Sequence, residues 1–174
     1  LLLGKDGQVG WELQRSLAPL GEVLALGRQE ADLADAMGLA RRVREYRPAI
    51  IVNAAAYTAV DRAETEEAIA QAINGAAPGH LAREARAIDA LLVHYSTDYV
   101  FDGMATRPYE ESDATGPINA YGRSKLAGEQ AIAAAAGRHL IFRTSWVYGN
   151  RGHNFLRTMR RLGADRQTLR VVHD

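Results

Sequence analysis

Short apolar runs alternate with longer helical stretches along the whole chain, and that alternation constrains the fold more than any other feature. The runs lie at residues 1–3, 23–26, 50–52, 91–95 and 140–142. They are nearly continuous in apolar residues, as strands covered on both faces are. Helical patterns fill residues 8–20, 35–46, 65–87 and 121–136, the third read as two helices split near Pro78. Such an order predicts a doubly wound parallel sheet with right-handed crossovers, a Rossmann-type α/β fold. A sheet of that kind binds ligands beyond the carboxyl ends of its strands. Chemistry is therefore expected just after each apolar run.

The chain has 174 residues, enough for one domain with a real core, so residues 1–174 are read as a single dinucleotide-binding unit. The first segment reads as the tail of a strand and the chain stops at residues 171–174 just after another, so a fragment is expected, with a smaller substrate lobe mostly beyond Asp174. With 21 basic and 21 acidic residues the formal charge is zero, which gives no reason to expect nucleic acid or an anionic membrane. Cysteine is absent, excluding disulfides and thiolate metal sites. No apolar run approaches the roughly 20 residues of a membrane span, and no signal peptide is visible. A cytoplasmic protein is the expectation. The five histidines, at 80, 94, 139, 153 and 173, lack metal-ligand spacing and read as structural or surface residues. The acidic stretch Glu110-Glu111-Ser112-Asp113 reads as a solvated loop, and no metal site is assigned.

Immediately after the first run stands Gly4-Lys5-Asp6-Gly7-Gln8-Val9-Gly10, three glycines in a GxxGxxG pattern at the mouth of a helix. Glycine permits the tight turn and the close backbone approach of a pyrophosphate, which the helix N-terminus attracts. After the second run, Gly27 supplies no carboxylate to read a ribose, whereas Arg28 suits a 2′-phosphate. That favours NADPH over NADH as cofactor. Asp32 and Leu33 follow, placed either to meet an adenine or, for Asp32, to cap the next helix. The third run enters Asn53-Ala54-Ala55-Ala56-Tyr57-Thr58, whose small side chains leave room for a ribose or a flat ring.

The fourth run ends in Ser96-Thr97-Asp98-Tyr99, and 24 residues after Thr97 comes Tyr121, opening a helix as Tyr121-Gly122-Arg123-Ser124-Lys125. Residues four apart share a helical face. A lysine ammonium there favours phenolate and is expected to lower the Tyr121 pKa, suiting it to give a proton to a carbonyl. Thr97 offers a second hydrogen bond to the same oxygen.

The glycine loop, the strand-end threonine and the Tyr-Lys pair resemble the extended short-chain dehydrogenases/reductases. The stretches NAAAYTAVDRAE (residues 53–64), STDYVFDG (96–103), YGRSKLAGE (121–129) and RTSWVYG (143–149) are similar to the dTDP-4-dehydrorhamnose reductase family in particular, across essentially the whole chain. The resemblance implies NAD(P)H-dependent reduction of a nucleotide sugar. It implies a catalytic set of Thr97, Tyr121 and Lys125. Gly7, Gln8 and Val9, within the Gly4 to Gly10 loop, would meet the cofactor phosphates. Asp32 and Leu33 would flank the adenine, while Ala55, Ala56, Tyr57, Tyr121 and Lys125 would follow the cofactor. Thr97, Asp98 and Trp146 would touch the sugar. Any Mg²⁺ or homodimer contact would come from residues outside this chain. Family members often carry an acidic residue where Gly27 stands, so the departure weakens any preference for NADH. Epimerases and dehydratases of the superfamily, and a non-catalytic regulatory subunit of methionine adenosyltransferase, share parts of the same pattern.

Overall fold

The computed structural model describes residues 1–171. Five parallel strands form one sheet in the order β2-β1-β3-β4-β5: β1 Leu2–Leu3, β2 Ala25–Leu26, β3 Ile50–Asn53, β4 Leu91–Thr97 and β5 His139–Thr144. Helices α1 (Gln8–Leu17) and α2 (Ala36–Tyr46) follow β1 and β2. Short helices α3 (Val60–Ala63) and α4 (Glu67–Ala70) lead through a π-helical segment, Gln71–Ala76, into α5 (Ala77–Ala87). Helix α6 (Ala120–Ala134) precedes β5, and α7 (Phe155–Asp165) follows it. The doubly wound parallel sheet expected from the alternation is the observed fold.

Register follows the apolar runs. Leu3 sits beside Leu26 on one side and Asn53 on the other, so the chain order reverses at β1 and leaves a crevice above that switch point. Leu3, Ile51 and Leu92 from the strands meet Leu39 and Val43 of α2, Leu81 and Ala85 of α5, and Ile132 of α6 in one core. Asp35 caps α2 by accepting from the Gly38 N–H at 2.9 Å.

Three sequence expectations need correction. The chain does not break at Pro78; the π-helical segment runs straight into α5, and Pro78 sits just past that junction. The run at 140–142 is not covered on both faces. It lies on edge strand β5, with Leu140 and Phe142 nearly half exposed. Helix α7 had no counterpart in the sequence reading, and its Phe155 and Leu156 stay about half exposed. The strand read near the end of the chain is absent from 168–171, and 172–174 lie outside the described residues. Among the described residues no helix is long and apolar enough to cross a membrane.

Candidate active site

The glycine loop is shaped by what a side chain would strike. Gly4 adopts φ +87°, and a Cβ there would come within 2.9 Å of the backbone of Ala54 and Ala55. A Cβ on Gly10 would stand 2.0 Å from the Gly4 carbonyl oxygen, so helix α1 can approach the loop only with glycine there. At the start of α1, Gly7 occupies the N-cap with no side-chain cap bond, and the first turn holds no acidic residue. That leaves the positive end of the helix uncompensated.

A cleft of about 620 Å³ runs from this loop along the carboxyl ends of the strands, within the size range of ligand sites. Gly4, Gly7, Gln8, Val9, Arg28, Asp32, Leu33, Ala55, Ala56, Tyr57, Tyr121 and Lys125 line it. Gly10 packs against the loop. Thr97, Asp98 and Trp146 do not line the cleft. Trp146 is about 70% exposed, with φ +50°, and packs edge-on against Phe155 at 5.3 Å.

Asp32 accepts from the Ala34 N–H at 2.9 Å and pairs with Arg28 at 3.3 Å. The cap of α2 is Asp35, so the capping role considered for Asp32 falls to a neighbour three residues on. Although Gly27 carries no carboxylate, Glu30 accepts from its N–H at 2.7 Å and pairs with Lys5 at 2.6 Å. A Cβ on Gly27 would meet the Asp6 carboxylate at 2.3 Å. The strand end is thus acidic in its surroundings, from residues that the sequence pattern did not single out.

Tyr121 stands in the first turn of α6, whose N-cap Asn119 accepts from the Gly122 N–H at 2.7 Å. The ring is buried and meets Tyr99 edge-on at 5.7 Å. One turn later Lys125 is fully buried. It donates to the Tyr95 carbonyl at 2.6 Å and lies 3.3 Å from His94 Nε2. The expected effect of Lys125 on Tyr121 is not found. Burial pushes the phenol up from its ordinary value, the Thr97 hydroxyl opposes this, and the nearby Asp98 charge adds to the rise. Burial brings Lys125 itself down to about 8, against a smaller upward pull from Glu129. Both groups are disfavoured in charged form because water is excluded around them.

Thr97 gives its hydroxyl proton to Asp98 at 2.9 Å and accepts from the Tyr99 N–H at 3.2 Å. Asp98 accepts in turn from Ser145 at 2.6 Å.

Sequence reasoning missed several residues here. Asn74, carried by the π-helical segment, is buried; it bonds both backbone groups of Tyr57 and donates to Ser124, which itself donates to the Tyr121 carbonyl. The wider turn of a π-segment brings it there, and such segments recur at functional sites. Ser96 lines the cleft with a buried hydroxyl that has no hydrogen-bond partner among the described residues. Ile73, Tyr95, Thr144, Gly152 and His153 also line it. Gln8 ties the loop to the segment after β5, donating to the His153 carbonyl at 3.1 Å and accepting from Asn154 at 2.8 Å. Among the described residues no group of three or more His, Cys, Asp or Glu is placed to hold a metal. His173 lies outside them.

Fold and cleft together define a Rossmann-type protein of the short-chain dehydrogenase/reductase kind. The chain belongs to the RmlD substrate binding domain family, whose model matches residues 1–174. It is 55% identical to dTDP-4-dehydrorhamnose reductase of Burkholderia thailandensis over all of this chain and 58% of that protein. The chain thus spans about three-fifths of the length of the curated relatives it matches. Among solved structures it is similar to a dTDP-4-dehydrorhamnose reductase ortholog from Clostridium acetobutylicum, with TM-score 0.96 at 40% identity over 99% of this chain and 62% of that one. It is also similar to dTDP-4-dehydrorhamnose reductase from Bacillus anthracis in complex with NADP, with TM-score 0.91 at 40% identity over 95% and 59%.

Proposed function

We propose that the protein reduces the C4 carbonyl of dTDP-6-deoxy-L-lyxo-4-hexulose with NADPH, giving dTDP-L-rhamnose. The observation that carries this reading is one continuous cleft holding the glycine loop at one end and the Tyr121–Lys125 pair at the other, in a chain of this family. A dinucleotide fits it. The loop is a cradle that any Cβ on Gly4 or Gly10 would close, and the unpartnered Ser96 hydroxyl offers a bond to a polar ligand.

Gly4, Gly7, Gln8, Val9 and Gly10 would hold the pyrophosphate, Arg28 the 2′-phosphate, and Asp32 and Leu33 the adenine. Ala55, Ala56, Tyr57 and Lys125 would follow the rest of the cofactor. When bound, the cofactor supplies the hydride. Tyr121 holds a proton that burial keeps in place until a more basic oxygen arrives. A C4 oxygen gaining negative charge is such a base, so Tyr121 gives its proton to that atom. Thr97 stands beside the phenol and would steady the same oxygen by turning its hydroxyl proton from Asp98 to it, and Lys125 positions the nicotinamide ribose. Asp98 and Trp146 lie at the strand ends past Thr97 and Thr144, where the sugar would sit. Residues 1–174 form the dinucleotide-binding domain. The nucleotide-recognition lobe and any Mg²⁺ or homodimer contact belong to the part of the family length that this chain does not span.

The test is stoichiometric: the full-length protein should consume one NADPH per rhamnose nucleotide formed. Retention and internal regeneration of a bound cofactor would indicate an epimerase instead.

A further inference from the structure

Behind Lys125 lies a chain of buried polar groups that the reaction above does not use. Asn53 at the end of β3, His94 in the middle of β4 and Lys125 on α6 are each about 1% exposed. The Asn53 amide faces His94 Nδ1 at 3.1 Å, and His94 Nε2 faces Lys125 Nζ at 3.3 Å.

The direction of this chain is fixed at its far end. Asn53 Oδ1 accepts from the Ala55 backbone N–H at 3.2 Å, and a backbone N–H can only donate. The Asn53 amide must therefore turn its NH₂ to the imidazole, so His94 Nδ1 accepts. A neutral imidazole that accepts at Nδ1 carries its proton on Nε2. That N–H points at Lys125. An ammonium has three donors and no lone pair, so it cannot answer an N–H, whereas a neutral amine can.

We propose that His94 is a positioning residue, locked as the Nε2–H tautomer, that donates to Lys125 when it is the amine and so favours the neutral form while the cleft is empty. The Lys125 hydrogens then serve the Tyr95 carbonyl. Burial holds His94 well below its usual titration range, in keeping with a neutral ring. The titratable and charged groups around Lys125 are few. Tyr121 lies one turn earlier on α6 and Glu129 one turn later, with Glu129 already paired to Arg143 of β5 at 2.7 Å. The lysine thus becomes the cation beside Tyr121 only after taking a proton from solvent, and His94 adds to burial in setting the pH at which it does so. This consequence for catalysis rests on the reductase reading; the tautomer does not.

Side-chain NMR of labelled lysine, with Lys125 assigned from backbone connectivity in α6, can follow Lys125 directly in the full-length protein. Imidazole nitrogen NMR, with His94 assigned from backbone connectivity in β4, should show an unprotonated Nδ1 and a protonated Nε2 throughout the neutral range. Lys125 should titrate well below an ordinary lysine. In His94→Leu its titration should move up, and the basic limb of kcat/KM in the full-length protein should move with it. His94→Gln, which keeps an N–H donor near the same place, should leave both where they were. An Nδ1–H tautomer, or an ordinary Lys125 titration in the wild type, would overturn the proposal. These two measurements need no variant, so a misfolded His94→Leu would not rescue it. Absence of reductase activity with the expected tautomer would count against the proposed function alone.

Discussion

Lys125 places its Nζ 2.6 Å from the carbonyl oxygen of Tyr95, so the side chain that shares a helix face with Tyr121 is anchored on strand β4. Two consequences follow for a buried amine. Among the described residues it has no counter-ion at hydrogen-bond distance, and burial disfavours its charged form.

The first prediction is a pH dependence of stability. Lys125 titrates near 8 in the fold, below the ordinary 10.5, so the unfolded chain binds more protons between those values. Lys125 therefore costs stability below about pH 8, and that cost disappears as pH rises towards 10.5. Relative to Lys125→Met, the wild type should gain roughly 3 kcal/mol across that window. Denaturant unfolding of both proteins at several pH values checks this. A constant difference would contradict it.

Replacing Gly10 by alanine puts a methyl 2.0 Å from the Gly4 carbonyl, a backbone atom that cannot rotate aside. The expected loss is about 3 kcal/mol of folding stability, together with weakened NADPH binding. Gly163→Ala in α7, where a Cβ meets nothing within 4 Å, should instead gain up to about 1 kcal/mol from helix propensity. Equal behaviour of the two variants would show that the close approach at Gly10 is unimportant.

Arg28 pairs with Asp32 at 3.3 Å on an exposed surface, a bond that adds little to folding. Arg28→Ala should leave stability within about 0.5 kcal/mol of wild type. Its effect should fall on the cofactor: the Kd for NADPH should rise about tenfold, or roughly 1.4 kcal/mol, and that for NADH should not change. Fluorescence titration with both nucleotides decides it, and an equal loss for both would remove Arg28 from 2′-phosphate recognition.

Most of the fold was legible because apolar periodicity and burial share a cause. The runs containing Leu3, Ile51 and Leu92 are the core strands for the reason they are apolar. Edge strand β5 was harder, since Leu140 and Phe142 look no different in sequence from covered residues. The glycine loop and the four-residue spacing of Tyr121 and Lys125 identified the two ends of the cleft. Spacing along one helix, however, says nothing about the strand beneath it. It could not show that Lys125 reaches Tyr95 and His94, nor that exclusion of water would raise Tyr121 and lower Lys125. Asn74 was hidden because its position depends on a local widening of the helix that leaves no composition signature. Ser96 was hidden because a serine in a strand is ordinary until its hydroxyl is found buried and unpaired.

The central claim is that Tyr121 gives the proton during reduction of the keto-sugar, and Tyr121→Phe in the full-length protein tests it most directly. The phenyl ring keeps the packing against Tyr99 and removes only the hydroxyl. NADPH binding should persist while kcat for NADPH oxidation with the keto-sugar falls at least about a hundredfold, the usual contribution of a positioned acid. Undiminished oxidation in that variant would contradict the account.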